Sequence, residues 1–244
     1  MGILAVPSKT VRNIEEYSGI SVYRRSRRLP DDLDVLIRWG NTTEANEVET
    51  VLNQVEAIKR TSDKPLCRRI LAEAGVAVPQ DGTELPCIGR TKKHSRGRGF
   101  WFCQTPNDVW YAKERGAVYF SKFYPKSREF RVHIGGGKVL LYSEKLGDKF
   151  GTIIWNKDLS DFTFRHLRRS EWDIDIIRLA KKAIKAVGLD FGAVDIMADP
   201  TDPNLPRAVV SEINTAPALS PYGVRKYVEY FDKVLYELEN ATVV

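Results

Sequence analysis

Asp195-Ile196-Met197 and, after a short connection, Val209-Val210-Ser211-Glu212-Ile213-Asn214-Thr215-Ala216-Pro217 decide how this chain is read. Apolar and β-branched residues flank the polar ones in both stretches, which predicts two short β-strands. Between them, Asp199-Pro200-Thr201-Asp202-Pro203-Asn204-Leu205-Pro206 is dense in turn residues and suits a hairpin-like connection. Paired strands then present Asp195, Glu212 and Asn214 side by side. Glu212 and Asn214, two residues apart, point to one face of a strand. Three hard oxygen donors on one sheet face are what Mg²⁺ takes when nucleotide phosphates complete its octahedron. The same residues also fit a plain hairpin carrying two surface carboxylates.

Working outward, Ile3–Val6 and Val35–Asn41 read as strands, and Thr42 to about Arg60 as a helix whose Val48, Val51, Leu52, Val55 and Ile58 keep helical spacing. Together these make a βαβ-like opening, short for a nucleotide-binding half. A second helix begins at Ser62 or Asp63, has Pro65 in its first turn and ends at Gly75. Pro86–Arg90 is a short strand, and Thr105–Asp108 opens a helix through Lys113. Ala117–Tyr124, Arg128–Ile134 and Lys138–Ser143 read as three consecutive strands, the last two joined by Gly135-Gly136-Gly137, which implies one antiparallel sheet. Amphipathic helices follow over Glu171–Val187, closed by Gly188, and over Val224–Leu238.

The loop Thr91-Lys92-Lys93-His94-Ser95-Arg96-Gly97-Arg98-Gly99 is basic and rich in small residues. Backbone N–H groups approach an anion closely only where side chains are small, the use of Gly97 and Gly99, while Arg96 and Arg98 add charge-assisted bonds. It also fits a solvated basic hairpin. It lacks the Gly-Lys-Ser/Thr ending of a P-loop.

The composition narrows the field. At 244 residues and 43% hydrophobic, the chain suits one large domain or two to three subdomains with a globular core, and charges interrupt every apolar run that could span a membrane. The start lacks a basic leader and a full apolar region, so no signal peptide is expected and the cytoplasm is the expected compartment. Cys67, Cys87 and Cys103 are widely spaced and odd in number, which argues for reduced core thiols and against a disulfide framework or zinc site. A net charge of +6 suits anionic ligands such as nucleotide phosphates.

The Asp195…Glu212-Ile213-Asn214-Thr215-Ala216-Pro217 pattern resembles the metal-binding end of the ATP-grasp superfamily of carboxylate–amine ligases. Leu189-Asp190-Phe191-Gly192-Ala193-Val194-Asp195 resembles the strand leading to its first metal ligand; no His-Arg-Asp loop precedes it, so it is not the Asp-Phe-Gly of protein kinases. Arg128-Glu129-Phe130-Arg131-Val132-His133 through Gly137-Lys138-Val139 resembles a strand pair of the same family, closest to compact bacteriophage and bacterial forms related to glutamate ligases. The likeness spans about residues 62–230.

The resemblance implies an α+β ATP-grasp fold: two α/β subdomains clamping ATP, 62–124 with the phosphate loop and 125–244 with the metal site, after a shortened α/β region, 1–61. It implies ATP with Mg²⁺ (or Mn²⁺) on Asp195, Glu212 and Asn214. Arg90 stands where the family usually has a phosphate-binding lysine, and Arg96, Gly97, Arg98 and Gly99 would wrap the triphosphate in a closing loop. Lys122, Phe123 and Tyr124 sit at the adenine-reading linker, Lys122 being open to a phosphate, the adenine N7 or solvent. Lys145 would face phosphate, Trp155 and Asn156 would line the pocket, and Arg131 would stabilise charge on the transferred phosphoryl group or tetrahedral intermediate. Glu129 and Arg131, two apart on a strand, are expected either to meet an acyl phosphate or to form a structural pair.

The implied reaction is amide or peptide bond formation through an acyl phosphate, with small-molecule or peptide carboxylate and amine partners, or a protein acceptor, and no membrane. Two rivals stand beside it. One is an ATP-grasp kinase that does not ligate. The other is a basic nucleic-acid-binding or adaptor protein using Arg24-Arg25-Ser26-Arg27-Arg28 and the 92–98 loop, although 32 acidic residues nearly balance 38 basic ones. The arginine cluster also suits an acidic substrate, or solvent.

Overall fold

The computed structural model describes residues 1–5, 8–23, 29–92, 99–147 and 162–241. Strand β1 (Gly2–Ala5), helix α1 (Lys9–Ser18) and strands β2 (Ser21–Tyr23), β3 (Val35–Trp39) and β4 (Thr50–Leu52) open the chain. The four strands form a parallel sheet in the order β2-β1-β3-β4. Helix α1, not foreseen from the sequence, carries its own signals. The Ser8 side chain accepts from the Val11 N–H at its start, and Gly19 closes it at φ 71°.

The helix expected over Thr42–Arg60 is a correction. No regular element covers 42–49, Thr50–Leu52 is β4, and helix α2 begins only at Val55 and runs to Ser62. Of the apolar residues with helical spacing, Val48, Val51 and Leu52 serve two faces of a sheet instead, and only Val55 and Ile58 lie in a helix. Val51 packs toward Leu4, Leu29 and Leu36, whereas Leu52 joins Ile3, Ile37 and Trp39. Pairing of Thr50–Leu52 with Val35–Ile37 overrides the local helical pattern, and Asn53, at φ 61°, turns the chain before α2.

Helix α3 (Lys64–Glu73) begins as its sequence implies, with Asp63 accepting from the Leu66 N–H and proline in the first turn. Strands β5 (Cys87–Arg90), β6 (Phe100–Cys103) and β7 (Tyr119–Lys122) form an antiparallel sheet in the order β6-β5-β7, backed by α4 (Pro106–Glu114). Here a second expectation fails. β7 does not continue into the following strands but pairs with β5, because the chain leaves one sheet for another through Phe123–Pro125. All three cysteines are free and buried.

The remaining strands are β8 (Lys126–Gly135), β9 (Lys138–Leu146), β10 (Thr163–His166), β11 (Phe191–Pro200) and β12 (Ala208–Asn214), an antiparallel sheet in the order β10-β9-β8-β11-β12. Helix α5 (Ile174–Val187) starts at its cap Asp173 and is closed by Gly188 at φ 74°. Helix α6 (Pro221–Ala241) ends the described chain.

One face of this sheet is largely apolar, with Glu144 and its partners Arg128 and Arg165 toward its edge. Phe130, Val132, Ile134, Val194, Ile196, Val210 and Ile213 pack with α2, α3 and α5. The other face is covered at one end, where Leu141 and Phe191 meet the parallel sheet and α6 through Trp39, Tyr227 and Phe231, and at the other by Tyr124 over Met197 and Val209. Phe191 is the hub of that joint, stacked on Trp39 at 5.6 Å and edge-on to Phe231 at 5.5 Å. Asn53 bolts it in place, accepting from the Asp190 and Phe191 N–H groups and donating to the Phe191 carbonyl. Asp190 in turn accepts from the Asn53 N–H at 2.6 Å. No helix among the described residues is long and apolar enough to cross a membrane.

Truncating the hub leaves a cavity between elements from both ends of the chain. Phe191→Ala is expected to cost about 3–5 kcal/mol, read as a lower urea midpoint with an unchanged slope.

Candidate active site

The uncovered part of the five-stranded sheet carries one transverse row of polar side chains. Register places His166 opposite Ser143, Ser143 opposite Arg131, Arg131 opposite Asp195 and Asp195 opposite Glu212. Five strands thus each contribute one residue to a line across the sheet. Asn214 stands one step along, opposite Ala193. The sequence-predicted trio of Asp195, Glu212 and Asn214 is therefore brought together.

A bulge adjusts the neighbourhood. Asp195 pairs with Glu212 but Ile196 pairs with Val210, so Ser211 is the extra residue on β12. Without it, Val209 and Glu212, an odd number apart, would point to opposite faces. With it, Val209 lies beside Met197 and Tyr124 on the polar face, next to the carboxylates. The Ser211 hydroxyl donates to the Asp195 carbonyl at 3.0 Å and pins the bulge.

Arg131 Nε and Nη2 donate to the two oxygens of Asp195 at 2.6 and 2.7 Å. Burial pushes the Asp195 carboxyl up, but the Arg131 charge and its two hydrogen bonds more than offset this and hold it below the ordinary carboxylate range. Arg131 does not pair with Glu129, the neighbour two residues away. Glu129 is held by Lys126 and, at 3.1 Å, by Lys145. Glu212 accepts from Lys64 at 2.7 Å. Three carboxylates are thus each met by a cation, and Lys64 and Lys126 were not legible as site residues. Lys64 comes from the first residue of α3, remote in sequence and flagged by no motif beyond its place behind the cap Asp63.

Asn214 Nδ2 donates to Asp195 at 3.2 Å, so its carbonyl oxygen is the atom left for a cation. Among the described residues no three His, Cys, Asp or Glu side chains gather as a metal cluster. The donor set is two carboxylates and one carboxamide, with both carboxylates already bonded to cations. That chemistry fits a hard divalent ion arriving with phosphate oxygens better than a resident ion held by protein alone.

The three-stranded sheet supplies the facing wall. A narrow cleft is lined by Arg68, Ile88, Arg90, Tyr124, Met197 and Ser211, among others. Arg90 lies over the Phe100 ring at 5.3 Å. Arg68, also not anticipated, is buried and held by Asp81 at 3.0 Å. Lys122 lines the cleft while its ammonium meets Glu84 at 3.1 Å. Tyr124 donates to the Pro206 carbonyl at 2.6 Å, and burial pushes its phenol up to about 12. Phe123 packs on Phe102 at 5.0 Å, outside the group lining the cleft. Gly99, at φ 66°, closes the base of the basic hairpin; a Cβ there would lie 2.3 Å from the Thr91 hydroxyl. Arg96, Gly97, Arg98, Trp155, Asn156 and the Arg24–Arg28 cluster lie outside the described residues.

With this geometry in hand, comparison with known proteins is informative. No family model and no curated protein matches the sequence. Solved structures do match. The chain is similar to an ATP-grasp ligase, PsnB, solved with a phosphomimetic variant of its minimal precursor, Mg and ADP (TM-score 0.63, 15% identity, 90% of this chain and 92% of that one). It is similar to a D-alanine–D-alanine ligase from Bacillus anthracis (0.66, 14%, 97% and 98%). It is also similar to the macrocyclase MdnC from Microcystis aeruginosa, solved with the precursor peptide MdnA (0.61, 10%, 96% and 100%). The chain has the ATP-grasp fold, an α+β architecture with mixed parallel and antiparallel sheets.

The Arg131–Asp195 pair has a signature in pH. Because the folded-state pKa of Asp195 is lowered, its contribution to stability is present above the unfolded value near ~4 and lost as pH falls through the folded one. Arg131→Met leaves a buried carboxylate without its cation, an expected cost of about 3–5 kcal/mol at pH 7. Urea melts against pH should then show the slope reversed, the variant recovering stability on acidification as Asp195 is neutralised.

Proposed function

We propose that this protein is an ATP-dependent carboxylate–amine ligase that forms an amide or peptide bond through an acyl phosphate. The observation that carries the reading is the row of Arg131, Asp195 and Glu212, with Asn214 beside it, on the open face of an ATP-grasp sheet. The facing sheet contributes Arg90 to a cleft that Met197 and Ser211 of the five-stranded sheet also line. Alternating cations and carboxylates suit a polyanion whose charge must be neutralised while one phosphoryl group moves.

Asp195, Glu212 and Asn214 would hold Mg²⁺, or Mn²⁺, which when bound neutralises phosphate oxygens and polarises the phosphorus they surround. The chain's own residues do the rest. Ile88, Tyr124 and Met197 form the apolar part of the cleft for adenine, with Lys122 at its rim. Arg90, Lys64 and Lys145 bind the phosphate chain, with Gly99 anchoring the loop that carries Arg96, Gly97 and Arg98. A substrate carboxylate attacks the γ-phosphoryl group, giving the acyl phosphate and ADP. An amine then attacks the acyl carbon and phosphate leaves with the electron pair of the broken C–O bond. Arg131 orients the acyl phosphate and stabilises the tetrahedral oxyanion. No nucleophilic side chain is needed. The acid is a small molecule or a peptide carboxylate; relatives in fold were solved with a precursor and with a precursor peptide.

The reading is tested by incubating the protein with Mg-ATP and pools of amino acids and peptides, following phosphate release and product mass. Amide product with stoichiometric ADP is expected, and Glu212→Gln should lower turnover about 100-fold or more. A nucleotide near 100 times its Kd should also stabilise the fold by about 2.7 kcal/mol. A stable phosphorylated product formed without any amine would replace the ligase by a kinase. No turnover with any pool and no nucleotide-induced thermal shift would end the reading.

A further inference from the structure

We infer that the pocket beside Arg131 receives the amine, and that Ser143 and His166 carry away the proton this amine must lose. The inference rests on the ligase reading above and adds to it a route for the proton.

The outer half of the transverse row lies on the side of Arg131 away from Asp195 and Glu212. Ser143 faces Arg131 across β8 and β9, and His166 faces Ser143 across β9 and β10. Two strand spacings put the imidazole strand roughly 10 Å from Arg131. Ser143 Oγ and His166 Nδ1 are 2.7 Å apart, and His166 Nε2 lies 3.2 Å from Ser220 Oγ. Ser143 is buried, whereas His166 is exposed. A hydrogen-bonded line thus runs from Ser143, beside Arg131 on the sheet, through His166 to exposed Ser220.

That line borders a partly open pocket of about 310 Å³, lined by Arg131, His133, Leu141, Ser143, Phe164 and His166 and by the 218–220 segment. Its charge inventory selects the ligand. No carboxylate is among its described lining residues, and its one cation, Arg131, is engaged by Asp195 and lies over the Phe164 ring at 4.6 Å. His133 is held neutral, its pKa pushed down to about 3 by burial and then by Arg131, and it is bonded to the Tyr227 hydroxyl at 3.0 Å. Beyond His166, the Tyr222 ring carries Arg225 and Lys226 at 5.6 and 5.7 Å. Nothing among these groups stabilises an ammonium ion. An amine in this pocket is bound neutral, flanked by hydroxyls and apolar walls.

The step balances as follows. The amine lone pair forms the N–C bond, and the C–O bond to phosphorus breaks with its electrons leaving on phosphate. The surplus N–H proton passes to Ser143 Oγ as the Ser143 proton passes to His166 Nδ1. The resulting imidazolium returns a proton through Nε2 and Ser220 to solvent. Ser143 touches the amine; His166 acts through it.

Hydroxylamine separates this role from a structural one, because its electronegative oxygen makes the N–H of its adduct more acidic than an alkylamine's, so that proton is lost to water without a base. The full chain and His166→Gln are supplied with Mg-ATP and the same amino-acid and dipeptide pool, with and without hydroxylamine, and hydroxamate and amide are quantified. Loss of the relay should raise the ratio of hydroxamate to amide about 100-fold; Ser143→Ala, a smaller change, should move it the same way. An unchanged ratio, whether both products persist or both fall together, overturns the relay and leaves the ligase reading standing. If the wild-type chain forms neither product, the ligase reading itself fails and the relay goes with it.

Discussion

Arg131 and Asp195, bonded through both oxygens at the centre of the five-stranded sheet, are the contact around which the polar face is arranged. Two charges on neighbouring strands, largely removed from water, are tolerable only with good geometry on both sides. The antiparallel register supplies it by setting the two residues directly opposite each other. The same register fixes Glu212 on the next strand and Ser143 on the other side. A slip of one residue would turn the whole row into the helix-packed core and bring Val194 and Val132 to the surface.

The two faces of that sheet answer different physical demands. The apolar face, under α2, α3 and α5, provides burial. The other face carries paired opposite charges, each largely shielded from water. Its apolar end, at Phe191 and Leu141, is where the N-terminal sheet and α6 dock. The ring cluster of Trp39, Phe191, Tyr227 and Phe231 therefore sits next to the polar row and positions it without taking part in it. Tyr227 spans both, packing in the cluster and bonding His133.

Much of the site was readable because its residues are close in sequence or share a strand. Glu212 and Asn214 announce a common face by their spacing, and Asp195 announces a partner strand through the turn-rich connection that follows it. The residues that escaped notice come from elsewhere: Lys64 from the start of α3, Arg68 one turn further on, and His166 from a strand, β10, that was not foreseen. None belongs to a periodic pattern that points at the sheet. The partner of Arg131 was likewise undecided. Glu129 was the carboxylate weighed for it, and only strand order sets Asp195 opposite instead.

The sequence by itself determined the elements whose signals are local: capped helices, the glycine-turned β8–β9 hairpin, and a carboxylate–carboxylate–amide set on two strands near the C-terminus. Tertiary structure alone decided that Thr50–Leu52 is a strand, that β7 leaves its sequence neighbours for β5, and that a bulge at Ser211 brings Val209 to the same face as Glu212. The reason is one of range. Caps and turns are satisfied within a few residues, whereas strand pairing is chosen among distant segments by which arrangement buries the most apolar surface and leaves no backbone group unpaired.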